Sequence, residues 1–149
     1  MKVMSKSPDW GWCCDMTITG LAEEKNRLIK RILSEMQSRN WSEREQYDVH
    51  LALEEAFSNA IRHGNASDSA KKIQLNCWMM EEKIVFEMTD EGIGFNPGQV
   101  PDPRNSENLL IPSGRGLLII RHVMTNVAFS PGGNTIYMEK KRSAPPAPT

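Results

Sequence analysis

The chain has 149 residues, of which 39% are hydrophobic and 25% charged, and its formal net charge is -1. This composition is typical of one soluble globular domain, and the near-neutral charge gives no electrostatic basis for binding nucleic acid or an anionic membrane. No apolar run approaches the roughly 20 residues that span a bilayer, and residues 1–6 are not followed by the apolar segment of a signal peptide. We therefore expect a cytoplasmic protein.

The three cysteines are Cys13, Cys14 and Cys77. Two of them are adjacent, and their spacing matches neither a disulfide framework nor a metal site. The cysteine pattern therefore predicts reduced thiols with a structural role.

The first part of the chain is predicted to form a flexible terminus, a strand and a helix. Residues 1–10 are polar, as is common for a loose N-terminus. Residues 12–19 alternate imperfectly and predict a strand, which Gly20 ends. Apolar residues then recur at helical spacing over residues 21–40 and predict the first helix.

A second helix is predicted from its two end signals. Ser42 is followed three residues later by Glu45, which is the pattern of a capping box at a helix start. The helix is expected to run to about His63 and to end at Gly64, because glycine readily adopts the conformation that terminates helices.

Two strands and a long loop are predicted next. Residues 71–80 alternate between apolar and polar side chains, which indicates a strand, and residues 84–89 are its partner in an antiparallel hairpin. Residues 96–113 have no periodicity and contain four prolines. Loops longer than about 12–15 residues inside a small domain are usually functional or disordered.

The chain is predicted to close with a short helix and a hairpin. The helix covers residues 117–124, and strands at 127–130 and 135–139 are joined by a turn with two glycines. Residues 143–149 are rich in proline and alanine and predict a disordered tail.

The predicted order is strand, two helices, two strands, loop, helix, two strands. Hairpin strands with grouped helices predict an α+β sandwich, in which one sheet carries helices on one face. We expect a single domain over residues 11–142.

Glu55, Asn59 and His63 are four residues apart on the second helix and should share one face. A carboxylate and a carboxamide one turn apart suit a hydrated Mg2+ ion and a phosphate, since Mg2+ prefers oxygen ligands, and Glu55 could then accept a proton from a hydroxyl group. A solvated helix face is the alternative. His63 either touches phosphate or completes the helix end, where a cation is favourable.

Asp90, Gly92 and Gly94 follow the predicted hairpin. A carboxylate at a strand end can accept a hydrogen bond from a base amine, and glycines allow the backbone to approach a ligand. A simple turn is the alternative, because aspartate and glycine favour turns.

Gly114, Arg115 and Gly116 precede the predicted short helix. Free amides and the helix dipole favour an anion at a helix start, and the guanidinium group of Arg115 could donate two hydrogen bonds to it. The alternative is a flexible loop end.

Taken together, these three motifs resemble the N, G1 and G2 boxes of the GHKL ATP-binding superfamily. The resemblance covers residues 20–141 and is strongest to bacterial anti-sigma-factor serine/threonine kinases of the RsbW and SpoIIAB type, whose N box is similar to residues 55–64. The residues of the boxes are Glu55 and Asn59, Asp90, Gly92 and Gly94, and Gly114 and Gly116.

The resemblance implies a Bergerat fold, with a mixed, mostly antiparallel sheet, and it implies a role for each motif. Glu55 would be the catalytic base, Asn59 the Mg2+ ligand, and Asp90 the acceptor from the adenine amine. Residues 96–113 would form the ATP lid. The remaining ATP-binding residues would be His63, Gly92, Gly94, Gly114, Arg115, Gly116 and Leu117.

The resemblance also implies partners. Such kinases phosphorylate a serine of an anti-anti-sigma protein of STAS fold, and in an alternative complex they sequester a sigma factor. They are commonly homodimers, and the apolar alternation near residues 12–18 could pair across a dimer.

Two alternatives remain at this point. A catalytically silent partner-switching module would hold ATP or ADP without phosphoryl transfer, but it would not need Glu55. A detached histidine-kinase ATPase domain would need a phospho-acceptor histidine on a preceding helix pair, and residues 1–20 are too short to supply one.

Overall fold

The computed structural model describes residues 2–3, 11–65, 71–92 and 112–143. The strands are β1 (Lys2–Val3), β2 (Trp12–Ile18), β3 (Ile73–Met79), β4 (Lys83–Asp90), β5 (Asn126–Phe129) and β6 (Thr135–Lys141), and the helices are α1 (Ala22–Ser38), α2 (Glu43–Asn59) and α3 (Pro112–Val123). The strands form one sheet in the order β1-β2-β3-β4-β6-β5. Within these ranges, no helix combines the length and apolar character needed to cross a bilayer.

The predicted α+β class and the predicted order of elements are confirmed. Every strand pairing in the described ranges is antiparallel, in agreement with the mostly antiparallel sheet that was expected. Strand β1 was not predicted. Its two residues pair with Asp15 and Cys14 at one edge of the sheet, so two residues of the terminus that was expected to be flexible belong to the sheet.

The helices cover one face of the sheet. Cys14, Cys77, Phe86 and Met138 are aligned across four neighbouring strands, and each is almost completely buried in the core that also contains the apolar residues of all three helices. Because side chains alternate along a strand, the other residue set faces away from the helices. The hydrophobic core is therefore the layer between the sheet and the helices.

All three cysteines are free and buried. Burial raises the pKa of the Cys14 thiol to about 11, and it raises the pKa of Cys77 well above its ordinary value. Since the thiolate is the reactive form, these side chains behave as core residues, as the sequence predicts.

The predicted capping box starts α2. The Ser42 hydroxyl accepts from the Glu45 amide at 3.0 Å, and Glu45 Oε1 accepts from the Ser42 amide at 3.0 Å. The other carboxylate oxygen of Glu45 accepts from both the amide and the hydroxyl of Ser143. These contacts of Ser143 lie one residue beyond the predicted domain boundary at Arg142.

The end of α2 differs from the prediction in its winding. The regular helix ends at Asn59, and residues Ala60–Gly64 form one π-helical turn. The amide of Asn65 donates to the carbonyl of Ala60, five residues earlier, at 2.8 Å. Glycine at position 64 marks the helix end as expected, but the wider turn was not predicted; such turns are frequent at functional sites.

Helix α3 begins earlier than predicted, at Pro112 rather than Leu117. Proline suits the first helical position, because its missing N–H has no intrahelical partner there and its φ is already helical. The prediction treated Pro112 as part of the loop. Gly116 consequently lies one turn inside the helix.

A partly buried cation joins α2, α3 and β6. Nζ of Lys140 donates to Oδ2 of Asp48 at 2.9 Å and to the carbonyl of Val123, at the end of α3, at 2.7 Å. Oδ1 of Asp48 lies 3.3 Å from Nε of Arg44 but outside hydrogen-bond geometry. Lys140 therefore holds the last turn of α3 beside the first half of α2.

Candidate functional site

Two adjacent carboxylates on α2 have different surroundings. Oε1 of Glu54 lies 2.7 Å from Nζ of Lys25, and Oε2 of Glu54 lies 3.3 Å from Nε2 of His50. Burial raises the pKa of Glu54, but the hydrogen bonds and charges of Lys25 and His50 outweigh it and hold the pKa below its ordinary value. Glu55 has no hydrogen-bond or ion-pair partner among the residues that the structure describes. Glu55 is therefore the carboxylate of this pair that can meet a ligand.

The backbone of α3 approaches the side chains of Glu55 and Asn59 closely at Gly116, where a larger residue would crowd both of them. A Cβ placed on Gly116 would lie 3.0 Å from Oε2 of Glu55 and 3.0 Å from Nδ2 of Asn59, and 3.2 Å from Oδ1 of Asn59. Contacts at these distances are tighter than ordinary van der Waals contact. The structure therefore brings the predicted N-box carboxylate and carboxamide together with a glycine from the predicted G2 box.

The other residues at the start of α3 have separate environments. Arg115 is exposed, so its guanidinium can reach an anionic ligand. The side chain of Leu117 is buried in the hydrophobic core, so only its backbone could serve the predicted binding role. Gly114 lies within the first turn of α3 rather than before the helix.

Asp90 ends β4 on the face that carries the helices, since it pairs with the buried Ile73. Its amide donates to the carbonyl of Asn134 at 3.0 Å, and its Oδ1 accepts from the amide of Gly92 at 2.7 Å. Burial raises the pKa of Asp90, and the Gly92 amide and the charge of Lys71 reverse only part of this rise. A further hydrogen-bond donor would therefore stabilise the ionised carboxylate.

Asn65 was missed as a site residue by the sequence analysis. It is buried, with 2% of its surface exposed. Its Oδ1 accepts from the amide of Glu91 at 2.8 Å, and its Nδ2 donates to the carbonyl of Lys72 at 3.1 Å. The only local signal was an asparagine directly after a helix-ending glycine, a common pattern in turns.

The two halves of the candidate site are joined through the end of α2. Gly116 meets Glu55 and Asn59 directly, whereas Asp90 is connected to the π-helical turn by the contact of Asn65 with Glu91. Two predicted parts lie outside the described residues, namely Gly94 and the part of the predicted lid before α3. The backbone of His63 lies in the π-helical turn, and its side chain is also outside the described part.

The contact between Gly116 and the Glu55–Asn59 pair brings together motifs from distant parts of the sequence. The profile of the histidine kinase-like ATPase domain matches residues 21–140. The chain belongs to the histidine kinase-like ATPase domain family.

Known members with similar sequences are anti-sigma F factors. The chain is 28% identical over 101 residues to the anti-sigma F factor of Oceanobacillus iheyensis, covering 64% of this chain and 69% of that protein. It is 30% identical over 99 residues to the anti-sigma F factor of Clostridium perfringens, covering 63% of this chain and 71% of that protein. The resemblance to bacterial anti-sigma factors of this ATPase superfamily that the sequence analysis stated is therefore confirmed.

A solved structure has the same fold. The chain superposes on the RsbU and RsbW domains of Rv1364c from Mycobacterium tuberculosis with a TM-score of 0.60, over 92% of this chain. The sequence identity is 13%, and the match spans 34% of that longer protein. This comparison supports the histidine kinase-like ATPase fold and nothing further.

Membership of an ATPase domain family implies that the chain binds a nucleotide. Within the described ranges, no group of three or more histidine, cysteine or acidic side chains forms a metal cluster. A metal that arrives with a nucleotide does not need such a cluster, since Mg2+ usually takes one or two protein oxygens together with phosphates and water.

Proposed function

We propose that this protein is an anti-sigma regulatory factor that acts as an ATP-dependent serine/threonine kinase. It transfers the γ-phosphoryl group of ATP to a serine of a STAS-type anti-anti-sigma partner, and it sequesters a sigma factor in an alternative complex. The proposal combines the family membership with polar groups on α2 and at the start of α3 that have no partner in the part of the chain that the structure describes.

One observation carries the catalytic part of the proposal. The backbone at Gly116 packs against Glu55 and Asn59 without an intervening side chain. A phosphate held at the start of α3 would consequently lie beside a carboxylate and a carboxamide. In phosphoryl transfer most of the catalysis is positioning and charge stabilisation, and these groups are arranged for both.

The donor set fits Mg2+. Asn59 offers a neutral side-chain oxygen, which is a hard ligand of the kind that Mg2+ takes, and it has no competing partner in the described ranges. When bound, the ion would neutralise charge on the phosphates and help to orient them. Asn59 would hold the ion, and the exposed Arg115 would contribute a second positive charge.

Glu55 would act as the general base. The serine oxygen of the partner forms a bond to the γ-phosphorus, the bond from that phosphorus to the β–γ bridging oxygen breaks, and ADP leaves with the electron pair. Glu55 accepts the proton of the serine hydroxyl. Glu54 cannot take this role, because Lys25 and His50 occupy its carboxylate.

Asp90 would select adenine. Its Oδ1 accepts from Gly92, so Oδ2 is left to accept from the exocyclic amine of the base. Guanine presents a carbonyl oxygen at the corresponding position, which would face the carboxylate unfavourably. Gly92 and Gly94 would allow the backbone to close on the base.

The proposed partners are based on the names of the similar proteins and on the family resemblance. The names of the similar proteins from Oceanobacillus iheyensis and Clostridium perfringens support a sigma factor as one partner. A STAS-domain protein as phosphoryl acceptor and a homodimer are further parts of the proposal, and residues 12–18 are the candidate pairing segment. Light scattering of the purified protein would test the dimer by its mass.

The deciding experiment is a transfer assay. The purified protein is incubated with Mg2+, γ-labelled ATP and a STAS-domain anti-anti-sigma protein from the same organism. We expect label on one serine of the STAS protein and none when that serine is replaced by alanine. Tight ATP binding with no label on the partner would instead favour a silent partner-switching module.

A further inference from the structure

Three backbone segments are hydrogen-bonded to the buried residue Asn65. These are the π-helical turn, residue 72 just before β3, and the segment Asp90–Gly92 at the end of β4, which we name the base loop. The amide of Asn65 donates to Ala60, its Nδ2 donates to Lys72, and its Oδ1 accepts from Glu91. Asn65 therefore connects the helix that carries Glu55 and Asn59 to the residue next to Asp90.

We infer that Asn65 is a positioning residue that holds the base loop in the geometry that selects adenine. This inference rests on the proposed function, because it assumes that Asp90 accepts from the base. Asn65 itself does not touch the base in this assignment. It acts through the amide of Glu91 on the adjacent carboxylate.

The base loop is held at each of its residues, and Asn65 supplies one of these bonds from outside the sheet. The amide of Asp90 donates to Asn134, and the amide of Gly92 donates to Asp90 itself. The side chain of Glu91 accepts from the amide of Lys72. Without Asn65, the Glu91 amide loses its partner, and the position of Asp90 depends on the remaining bonds of the base loop to Asn134, Lys72 and Gly92.

Burial requires that the side-chain amide of Asn65 be hydrogen-bonded. An amide side chain with 2% exposure must have its donor and acceptor satisfied, and asparagine satisfies both by bridging two backbone groups. Glu91 itself is exposed, so its amide would meet water if the side chain of Asn65 were shortened. Hydrogen exchange of the Glu91 amide therefore reports whether its bond to Asn65 is formed.

The test compares Asn65→Ala with wild type in ATP and GTP titrations at fixed Mg2+. We expect wild type to prefer ATP, and Asn65→Ala to lose about tenfold in ATP affinity, since a bond to a buried group contributes on that order. GTP affinity should change less, so the ATP:GTP affinity ratio falls. A purely structural role would lower the unfolding temperature and leave this ratio unchanged.

Gln46→Ala is the matched control. The side-chain amide of Gln46 also donates to a backbone carbonyl, that of Trp41, at 2.9 Å, but at the opposite end of α2. Asn65→Asp is the second variant. It keeps the acceptor for the Glu91 amide but replaces the donor to the Lys72 carbonyl by a buried carboxylate oxygen, so it should lower the unfolding temperature. We expect Gln46→Ala to retain the wild-type ratio and Asn65→Asp to stay within about threefold of it.

Hydrogen exchange of the wild-type protein tests the contact without any variant. The Glu91 amide should be protected although its residue is exposed. Exchange of this amide at the rate of an unstructured peptide would overturn the inference, and so would an unchanged ATP:GTP ratio in a folded Asn65→Ala protein. Failure of wild type to bind ATP would instead contradict the proposed function.

Discussion

Gly116 of α3 lies so close to Asn59 of α2 that a Cβ on the glycine would be 3.0 Å from the side-chain nitrogen Nδ2 of Asn59. The two residues are 57 positions apart in the sequence (116 − 59). Their contact forms one side of the proposed phosphate site, and a side chain at position 116 would displace Glu55 and Asn59 there.

Gly116→Ala should separate binding from stability. The added methyl group displaces the ends of two flexible side chains, Glu55 and Asn59, so the fold should tolerate it, and alanine is favoured over glycine in a helix by up to about 1 kcal/mol. We expect an unchanged or higher unfolding temperature without ligand, and ATP affinity reduced at least about tenfold, equivalent to the loss of one charge-assisted contact. Calorimetric titration and thermal melting measure the two effects.

The control for this variant is Gly132→Ala. A Cβ on Gly132 would lie 3.6 Å from Oδ1 of Asn134, which is an ordinary contact. ATP affinity should be unchanged in this protein. Equal ATP affinity in Gly116→Ala and wild type would contradict the proposed phosphate site.

Glu55→Gln and Glu54→Gln form a matched pair of neighbouring variants. Glu55→Gln should bind ATP with near wild-type affinity but lose transfer by roughly 100-fold or more, the usual contribution of a general base. Glu54→Gln should retain transfer and lose less than about 1 kcal/mol of stability, because its ion pairs are partly exposed. Single-turnover transfer rates and urea unfolding measure these outcomes.

The two variants also give the result that would change the assignment. If Glu54→Gln abolishes transfer and Glu55→Gln does not, the general base is Glu54, and the ion pair with Lys25 must open during the reaction.

Asp90→Asn should stabilise the free protein and prevent selective ATP binding. Because burial raises the folded-state pKa of Asp90 above its ordinary value of 3.8, the ionised carboxylate opposes folding at neutral pH. This penalty is relieved as the pH falls through the raised pKa towards 3.8. The variant should therefore melt above wild type at pH 7, with a difference that shrinks in acid.

ATP binding should respond to pH in the opposite sense. A donor from adenine favours the ionised form of Asp90, so ATP affinity should fall as the pH falls through the raised pKa. Asp90→Asn should bind ATP at least about tenfold more weakly at pH 7. Titrations of both proteins across pH test this, and equal affinities at pH 7 would remove Asp90 from the base site.

The capping box of α2 predicts an acid-sensitive contribution to stability. Burial raises the pKa of Glu45, but the hydrogen bonds from Ser143 and Ser42 outweigh it and lower the pKa below 4.5. A depressed carboxyl pKa contributes stability above the unfolded-state value, and this is lost as the pH falls through the folded-state value. Glu45→Gln should therefore be more destabilising at pH 7 than below pH 4.5.

Two further variants complete this measurement by urea unfolding. Ser42→Ala should cost about 1 kcal/mol at pH 7, the usual loss for a helix N-cap. Glu43→Gln, at an exposed position of the same first turn, should show a much smaller pH dependence. A pH-independent effect of Glu45→Gln would show that its hydrogen bonds do not favour the ionised form.

Lys140→Met should weaken the packing of α3 against α2. The variant leaves Asp48 buried without its amine partner, and removal of one member of a buried pair typically costs about 3 kcal/mol. Replacing both members, as Asp48→Asn with Lys140→Met, should recover part of this loss. Lys141→Met, at the exposed neighbouring position, is the control and should leave the free energy of unfolding nearly unchanged.

Local features were predictable because neighbouring residues determine them. The capping box at Ser42 and Glu45 is closed by residues three apart, and the alternation of residues 71–80 sets the two faces of β3 whatever its partners are. The three motifs of the proposed nucleotide site were likewise visible as short patterns. The start of α3 was placed too late, because a proline is compatible with both a loop and a first helical turn.

Tertiary structure decided which of these groups meet and which are already occupied. The sequence presents Glu54 and Glu55 as equivalent neighbours, but Lys25 of α1 reaches only Glu54. Gly116 lies in close contact with Asn59, which is 57 positions away in the sequence. Asn65 accepts a hydrogen bond from the amide of Glu91, which is 26 positions away. Such relations depend on how helices pack on the sheet, and no pattern within a single segment encodes them.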